Sequence, residues 1–257
     1  MKNRYPMEAF ALAMIIFTQN MRIALITGIL ILFITTLGLV LDGFIGNKLP
    51  SWSRNSCTII LMVSLAYSIF RVVLIGILGY EIDDSTYIFH VFLGILISKH
   101  IIDVQDQIVS YNRLLLEGAG AYATMLIISI IREFMALGSI YGYELAQFNI
   151  MSNGFSTVAI GFVLTAIGLA ILNRIYGYKN IKSQSILVIL PVVIINQPFV
   201  IAGINSNISM LITIIIVLVM AYSIKRHLVF SRLSKEIKYL PACLMSTGMI
   251  YIILSMF

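Results

Sequence analysis

Long apolar stretches separated by short polar connections constrain this chain more than any other feature of its sequence. Backbone in hydrocarbon must satisfy its own hydrogen bonds, so such stretches become helices. Reading hydropathy and helix breakers together places spanning or partly spanning helices near 7 to 19, 22 to 44, 57 to 79, 87 to 102 and 117 to 137. Four more follow near 153 to 173, 184 to 203, 208 to 225 and 238 to 256, about nine in all. The expected fold is an all-α, polytopic transmembrane helical bundle. The composition agrees: 60% of the residues are hydrophobic and 11% charged, and the longer runs match a hydrocarbon core of roughly 30 Å. No stretch is polar and long enough for a separate soluble domain. The start lacks the short apolar region and small-residue cleavage site of a removable signal, so the first apolar segment is expected to stay.

The net charge of +6 does not point to nucleic acid, because the basic residues lie in short connections, where they orient a membrane protein. Lys2, Arg4, Lys48, Arg54, Arg174, Lys179, Lys182, Lys225, Arg226, Arg232, Lys235 and Lys238 fall on one side if the helix count holds. That side is then cytoplasmic, with the amino terminus inside and Arg22 as the exception. Glu81, Asp83, Asp84 and Glu144 lie in the opposite connections. Cys57 and Cys243 are far apart and have no CxxC or His companion, so neither a disulfide framework nor a zinc site is indicated. Nucleotide-binding and hydrolase fingerprints are missing as well.

Against this apolar background the adjacent Arg132 and Glu133 stand out, since charge within a membrane is expensive and normally has a partner or a task. Arg71 lies about 14 residues into the third segment, hence about 21 Å deep at 1.5 Å per residue. Arg132 and Glu133 come to a similar depth, which allows an Arg71–Glu133 pair. Three readings stand: an ion or proton path, a buried structural clamp, or, for Arg132, snorkelling to the interface. The short segments 7 to 19 and 87 to 102 end in polar clusters, Thr18-Gln19-Asn20 and Ser98-Lys99-His100 followed by Asp103. Such short helices suggest inverted three-helix repeats with half-helices and a site near the midplane, or else ordinary helices with solvated ends. Lys99 and Asp103 are one helical turn apart; with His100 they suggest either a proton relay or a solvated loop. Asn20, Asn196 and Gln197 offer amide oxygens to a cation, or hydrogen bonds between helices. Pro191 and Pro198 bracket a predicted break in the seventh helix, which would put Asn196 and Gln197 in irregular backbone.

The phrase Ile131-Arg132-Glu133-Phe134-Met135-Ala136-Leu137-Gly138-Ser139-Ile140-Tyr141-Gly142 resembles the Arg-Glu, Gly-rich segment of the paired integral membrane subunits of the Rnf and Nqr redox-driven ion pumps. The run from Ala24 to Phe33 is similar to that family's second helix, Phe92-Leu93-Gly94-Ile95 to the start of its fourth, and Gly118 to Gly142 to its fifth. Residues 1 to 177 thus resemble one complete six-helix subunit. Residues 178 to 257 resemble the back half of a second copy, through Leu190-Pro191 with Asn196-Gln197 and through the segment from Tyr239 to Met249. The resemblance implies a subunit of a sodium- or proton-translocating, electron-transport-linked complex in the bacterial cytoplasmic membrane. Its partners would be other membrane subunits in a hetero-oligomer.

In the resembled subunits, cysteines on the first and fourth helices hold an iron–sulfur cluster, for which thiolates are the required ligands. Here Leu12, Asp103-Val104 and Asn196-Gln197 occupy those positions. The chain is therefore expected to bind no cluster of its own and to leave redox chemistry to other subunits. Two alternatives share the scaffold: a stand-alone secondary transporter, and a non-catalytic assembly subunit that lost the cofactor.

Overall fold

The computed structural model describes residues 5–79, 84–104, 111–145, 151–178, 186–196, 205–227 and 239–254. Among these residues nine α-helices form: α1 (Met7–Ile16), α2 (Met21–Ile45), α3 (Ser51–Arg71), α4 (Asp84–Val104), α5 (Tyr111–Leu137), α6 (Val158–Tyr176), α7 (Ile186–Asn196), α8 (Ser206–His227) and α9 (Ala242–Leu254). Five helical stretches, Met21–Ile45, Trp52–Ile77, Tyr87–Val104, Asn112–Leu137 and Val158–Tyr176, are long and apolar enough to cross a membrane. The chain is an all-α, multi-pass membrane protein.

The helix ends follow local chemistry. α3 starts at Ser51, ahead of the apolar run, because Pro50 supplies an N-terminal carbonyl that accepts from the Ser53 and Arg54 amides at 3.0 and 3.1 Å. Its polar first turns are held by an ion pair between Arg54 Nη2 and Asp42 Oδ2 of α2 at 2.8 Å, while Thr58 Oγ1 donates to Asp42 Oδ1 at 3.2 Å. Beyond Arg71 the helix widens into a π turn over Val72–Ile77 and ends at Gly79 with φ +66°. α4 has 21 residues, more than its apolar stretch alone predicts and enough by length to span. The seventh helix runs through Pro191 to Asn196, so Asn196 is the last helical residue and not part of irregular backbone. Gln197 and Pro198 lie outside the described residues.

Two compact units divide the chain. The first comprises Met1–Phe10 and Leu25–Ala123, the second Ala11–Ala24 and Thr124–Phe257. In the first, α3 packs along α4, and Gly94 of α4 lies against the α3 backbone. A Cβ there would stand 2.7 Å from Val63 Cα and 3.0 Å from the Met62 carbonyl oxygen. In the second, α6 packs against α9 and α7 against α8.

α1 is different in kind from the other helices. It has 10 residues and is buried almost all round, from Ala9 to Ile15 without interruption. A helix apolar on every face belongs inside protein, and at about 15 Å it covers half a bilayer core. One further 3₁₀ turn, Phe17–Gln19, carries the chain to Asn20, where the backbone becomes extended before α2 begins.

The α3–α4 contact gives a matched pair of tests. Gly94→Ala pushes a methyl group into the Val63 backbone, and it is expected to lower stability by about 1–3 kcal/mol. Gly76→Ala, in the π turn with no neighbour within 4 Å, is expected to stay within about 0.5 kcal/mol of the parent. Thermal unfolding of the two purified variants in detergent reads the difference.

Candidate functional site

A helix that stops inside a membrane protein leaves carbonyls without partners at its carboxyl end, and a helix that starts there leaves N–H groups. The gap between α1 and α2 presents both. Arg132 and Glu133, near the carboxyl end of α5, supply both sets of partners.

Arg132 is 0% exposed, and its guanidinium runs into the end of α1. Nη1 donates to the Ile15 carbonyl at 2.9 Å and to Thr18 Oγ1 at 2.7 Å, with the Met14 carbonyl at 3.5 Å. The Thr18 hydroxyl donates in turn to the Met14 carbonyl. On the other edge Nη2 donates to the Ser156 and Thr157 carbonyls at 3.0 and 2.9 Å, and Nε to the Phe155 carbonyl at 3.2 Å. These last belong to the 3₁₀ turn Asn153–Ser156 and to Thr157, the N-cap residue directly before α6. The positive group thus faces the negative end of the α1 dipole, and every edge of its fork meets oxygen. Gly161 makes room for this. A Cβ at Gly161 would lie 2.6 Å from the Ile15 carbonyl oxygen and 3.1 Å from Arg132 Nη1.

Glu133 is 4% exposed and points elsewhere, because successive helical side chains diverge by about 100°. Its Oε2 accepts from the Met21 amide at 2.7 Å, at the first residue of α2. Asn20 serves the next donors of that helix: its Oδ1 accepts from the Arg22 and Ile23 amides at 2.9 and 3.4 Å, as an N-cap does. The other Glu133 oxygen, Oε1, accepts from the Gly142 amide at 3.1 Å. Gly142 sits in the turn of a two-strand hairpin, β1 (Ser139–Ile140) and β2 (Tyr143–Glu144), paired antiparallel. Tyr141 and Gly142 both have positive φ, 58° and 85°, as a type I′ turn requires. The Arg22 guanidinium, 4.8 Å above the Tyr141 ring, helps hold that residue in a conformation non-glycine residues disfavour.

The other expected site residues are placed as follows. Arg71 lies about 30 Å from the start of α3, because the helix begins at Ser51, ahead of the apolar run. Arg71 is exposed, with its guanidinium 5.9 Å from the centre of the Tyr87 ring. Lys99 reaches a carboxylate the sequence reading did not consider. Its Nζ meets both oxygens of Glu8, in the first turn of α1, at 2.7 Å. Asp103, the expected partner one turn along, is exposed, and His100 is half-buried. Asn196 turns back on its own helix, donating from Nδ2 to the Val192 carbonyl at 3.0 Å. His90 had no place in the sequence reading. It is buried and stacks on Phe70 with ring centres 4.5 Å apart.

No family model, curated protein or solved structure matches the chain. None of the cluster positions that the resemblance suggests carries a thiol: Leu12 and Val104 are apolar, Asp103, Asn196 and Gln197 polar. Leu12 is fully buried in α1 and Val104 nearly so at the end of α4, and neither side chain can ligate iron. Cys57 is exposed on α3 and Cys243 half-buried on α9. Among the described residues no group of three or more His, Cys, Asp or Glu converges on a metal position.

Glu133→Ala removes the acceptor of the Met21 and Gly142 amides, one half-buried and one exposed, and the expected loss is about 1–3 kcal/mol in all. Glu133→Gln, which keeps one acceptor oxygen but turns a donor toward the second amide, is expected to fall between Ala and the parent. Amide exchange at Met21 and Gly142 should accelerate in both variants, while Glu144→Gln, altering an exposed residue of the same hairpin, should leave both amides unchanged.

Proposed function

We propose that this chain is an integral membrane subunit of an electron-transport-linked, sodium- or proton-translocating complex of the Rnf/Nqr kind, one that carries no iron–sulfur cluster of its own. The observation that supports the reading is α1, a buried half-length helix that ends in a break within the membrane domain. Interrupted helices are a building principle of ion-translocating membrane proteins, and the Arg-Glu phrase that suggests the family is the phrase that caps this break. In this reading Arg132 and Glu133 are positioning residues. Their polar atoms are taken up by backbone groups, so they hold the end of α1 and the start of α2. Redox groups belong to partner subunits, with which the chain assembles in a bacterial cytoplasmic membrane with its amino terminus inside.

The same broken helix suits a stand-alone secondary transporter, and one experiment separates the two. The full-length tagged chain is purified from native membranes in mild detergent and, separately, reconstituted alone in liposomes. The expected result is co-purification with flavin- and iron-containing partners, together with no sodium or proton flux through the isolated chain. Solute or ion flux by the chain alone, with no flavin or iron in the native preparation, would replace the subunit reading with the transporter.

A further inference from the structure

The acceptors around Arg132 are six oxygens: five backbone carbonyls, of Met14, Ile15, Phe155, Ser156 and Thr157, and the Thr18 hydroxyl. All six are electrically neutral, although a cation this deeply buried is usually matched by a carboxylate. Neutral oxygens gathered at the carboxyl end of a half-helix are the ligand set that interrupted helices offer to a sodium ion. Here the spacing suits something flatter. A small spherical ion needs its oxygens within roughly 2.5 Å of one centre. These oxygens instead stand 2.7 to 3.5 Å from three separate nitrogens, along two edges of a planar fork. The wall beside Nη1 is completed by Gly161, whose missing Cβ leaves the space that the guanidinium fills.

We infer that these oxygens form a guanidinium-shaped cation site of which Arg132 is the tethered ligand, so that the α1–α2 break holds a built-in cation and takes up no exchangeable sodium ion. The site is made by two segments, the end of α1 with its 3₁₀ turn and the 3₁₀ turn leading into α6. Both stay in place only while something positive with several N–H donors lies between them. With the side chain shortened, the oxygens lose their donors, and a free guanidinium ion can restore what was lost. The inference holds whether the chain works in a redox complex or alone.

Chemical rescue tests it. Thermal unfolding of the wild-type chain and of Arg132→Ala in detergent is followed against methylguanidinium chloride in the millimolar range, with NaCl and KCl at matched ionic strength. The variant is expected to melt on the order of 10 °C lower and to recover most of that loss, saturably, with methylguanidinium. Neither alkali salt should restore it, and the wild type should respond to none of the three. Equal recovery in NaCl, or no recovery with methylguanidinium, would overturn the assignment. If Arg132→Ala does not accumulate, Arg132→Gln replaces it with the same expected pattern. The wild type decides independently through binding of radioactive sodium. Saturable uptake that is lost in Thr18→Val would also sink the inference, and no Thr18-dependent uptake is expected.

Discussion

The interaction on which the membrane domain depends is the double cap formed by Arg132 and Glu133. A break between two helices within a membrane domain exposes a cluster of carbonyl dipoles on one side and a cluster of N–H dipoles on the other. On the carbonyl side the end of α1 is buried, while on the amide side exposed Asn20 and Arg22 flank the start of α2. One dipeptide answers both. The cation faces the carbonyl end of α1 and the anion faces the amide end of α2, each opposite the dipole it stabilises. The pair is neutral in sum, which lowers the cost of placing two ionised groups at 0% and 4% exposure. Adjacency in sequence is what makes the arrangement possible, since one helical step aims the two side chains about 100° apart, toward different helices.

The neighbouring features serve that cap. Gly161 is needed because a Cβ there would stand 2.6 Å from the Ile15 carbonyl oxygen and 3.1 Å from the guanidinium. Asn20 completes the start of α2, so that its first amides share acceptors between Glu133 and the N-cap side chain. The hairpin after α5 is tied to the same carboxylate through Gly142. Gly138, with φ 67°, ends α5 directly before it. Away from the cap, in the other compact unit, charge is handled in the ordinary way: Arg54 meets Asp42 and Lys99 meets Glu8 as direct ion pairs.

Most of the helical architecture was legible in the sequence because apolar length is a coarse property, set by the membrane and insensitive to detail. The boundaries that moved did so where polar chemistry extends a helix past its apolar run, as Pro50 and the Asp42–Arg54 pair do for α3. Arg132 and Glu133 were legible as a charged anomaly, but their partners were not. Backbone carbonyls and amides leave no trace in residue identity, so a search for side-chain partners looks toward Arg71 and passes over Ile15 and Met21. For Lys99 the sequence offers Asp103 at the favourable helical spacing, whereas Glu8, which it meets, lies 91 positions away in sequence. The one signal that pointed to Glu8 was its being the single charged residue in α1.

A fixed guanidinium also limits what else can occupy the break. Two like unit charges about 4 Å apart repel by about 4 kcal/mol at an effective dielectric constant of 20. A second cation entering beside Arg132 would meet that repulsion and would find the carbonyls it needs already engaged. The anion side is closed in the same manner, because the Met21 amide that would attract a negative ligand is bonded to Glu133. The two charges therefore cost the chain an ion site at the break and give it a fixed joint there. In a translocating complex of the kind proposed, motion of ions must be carried by surfaces other than this joint, and the joint's contribution is to keep α1 at half length and in place while they move.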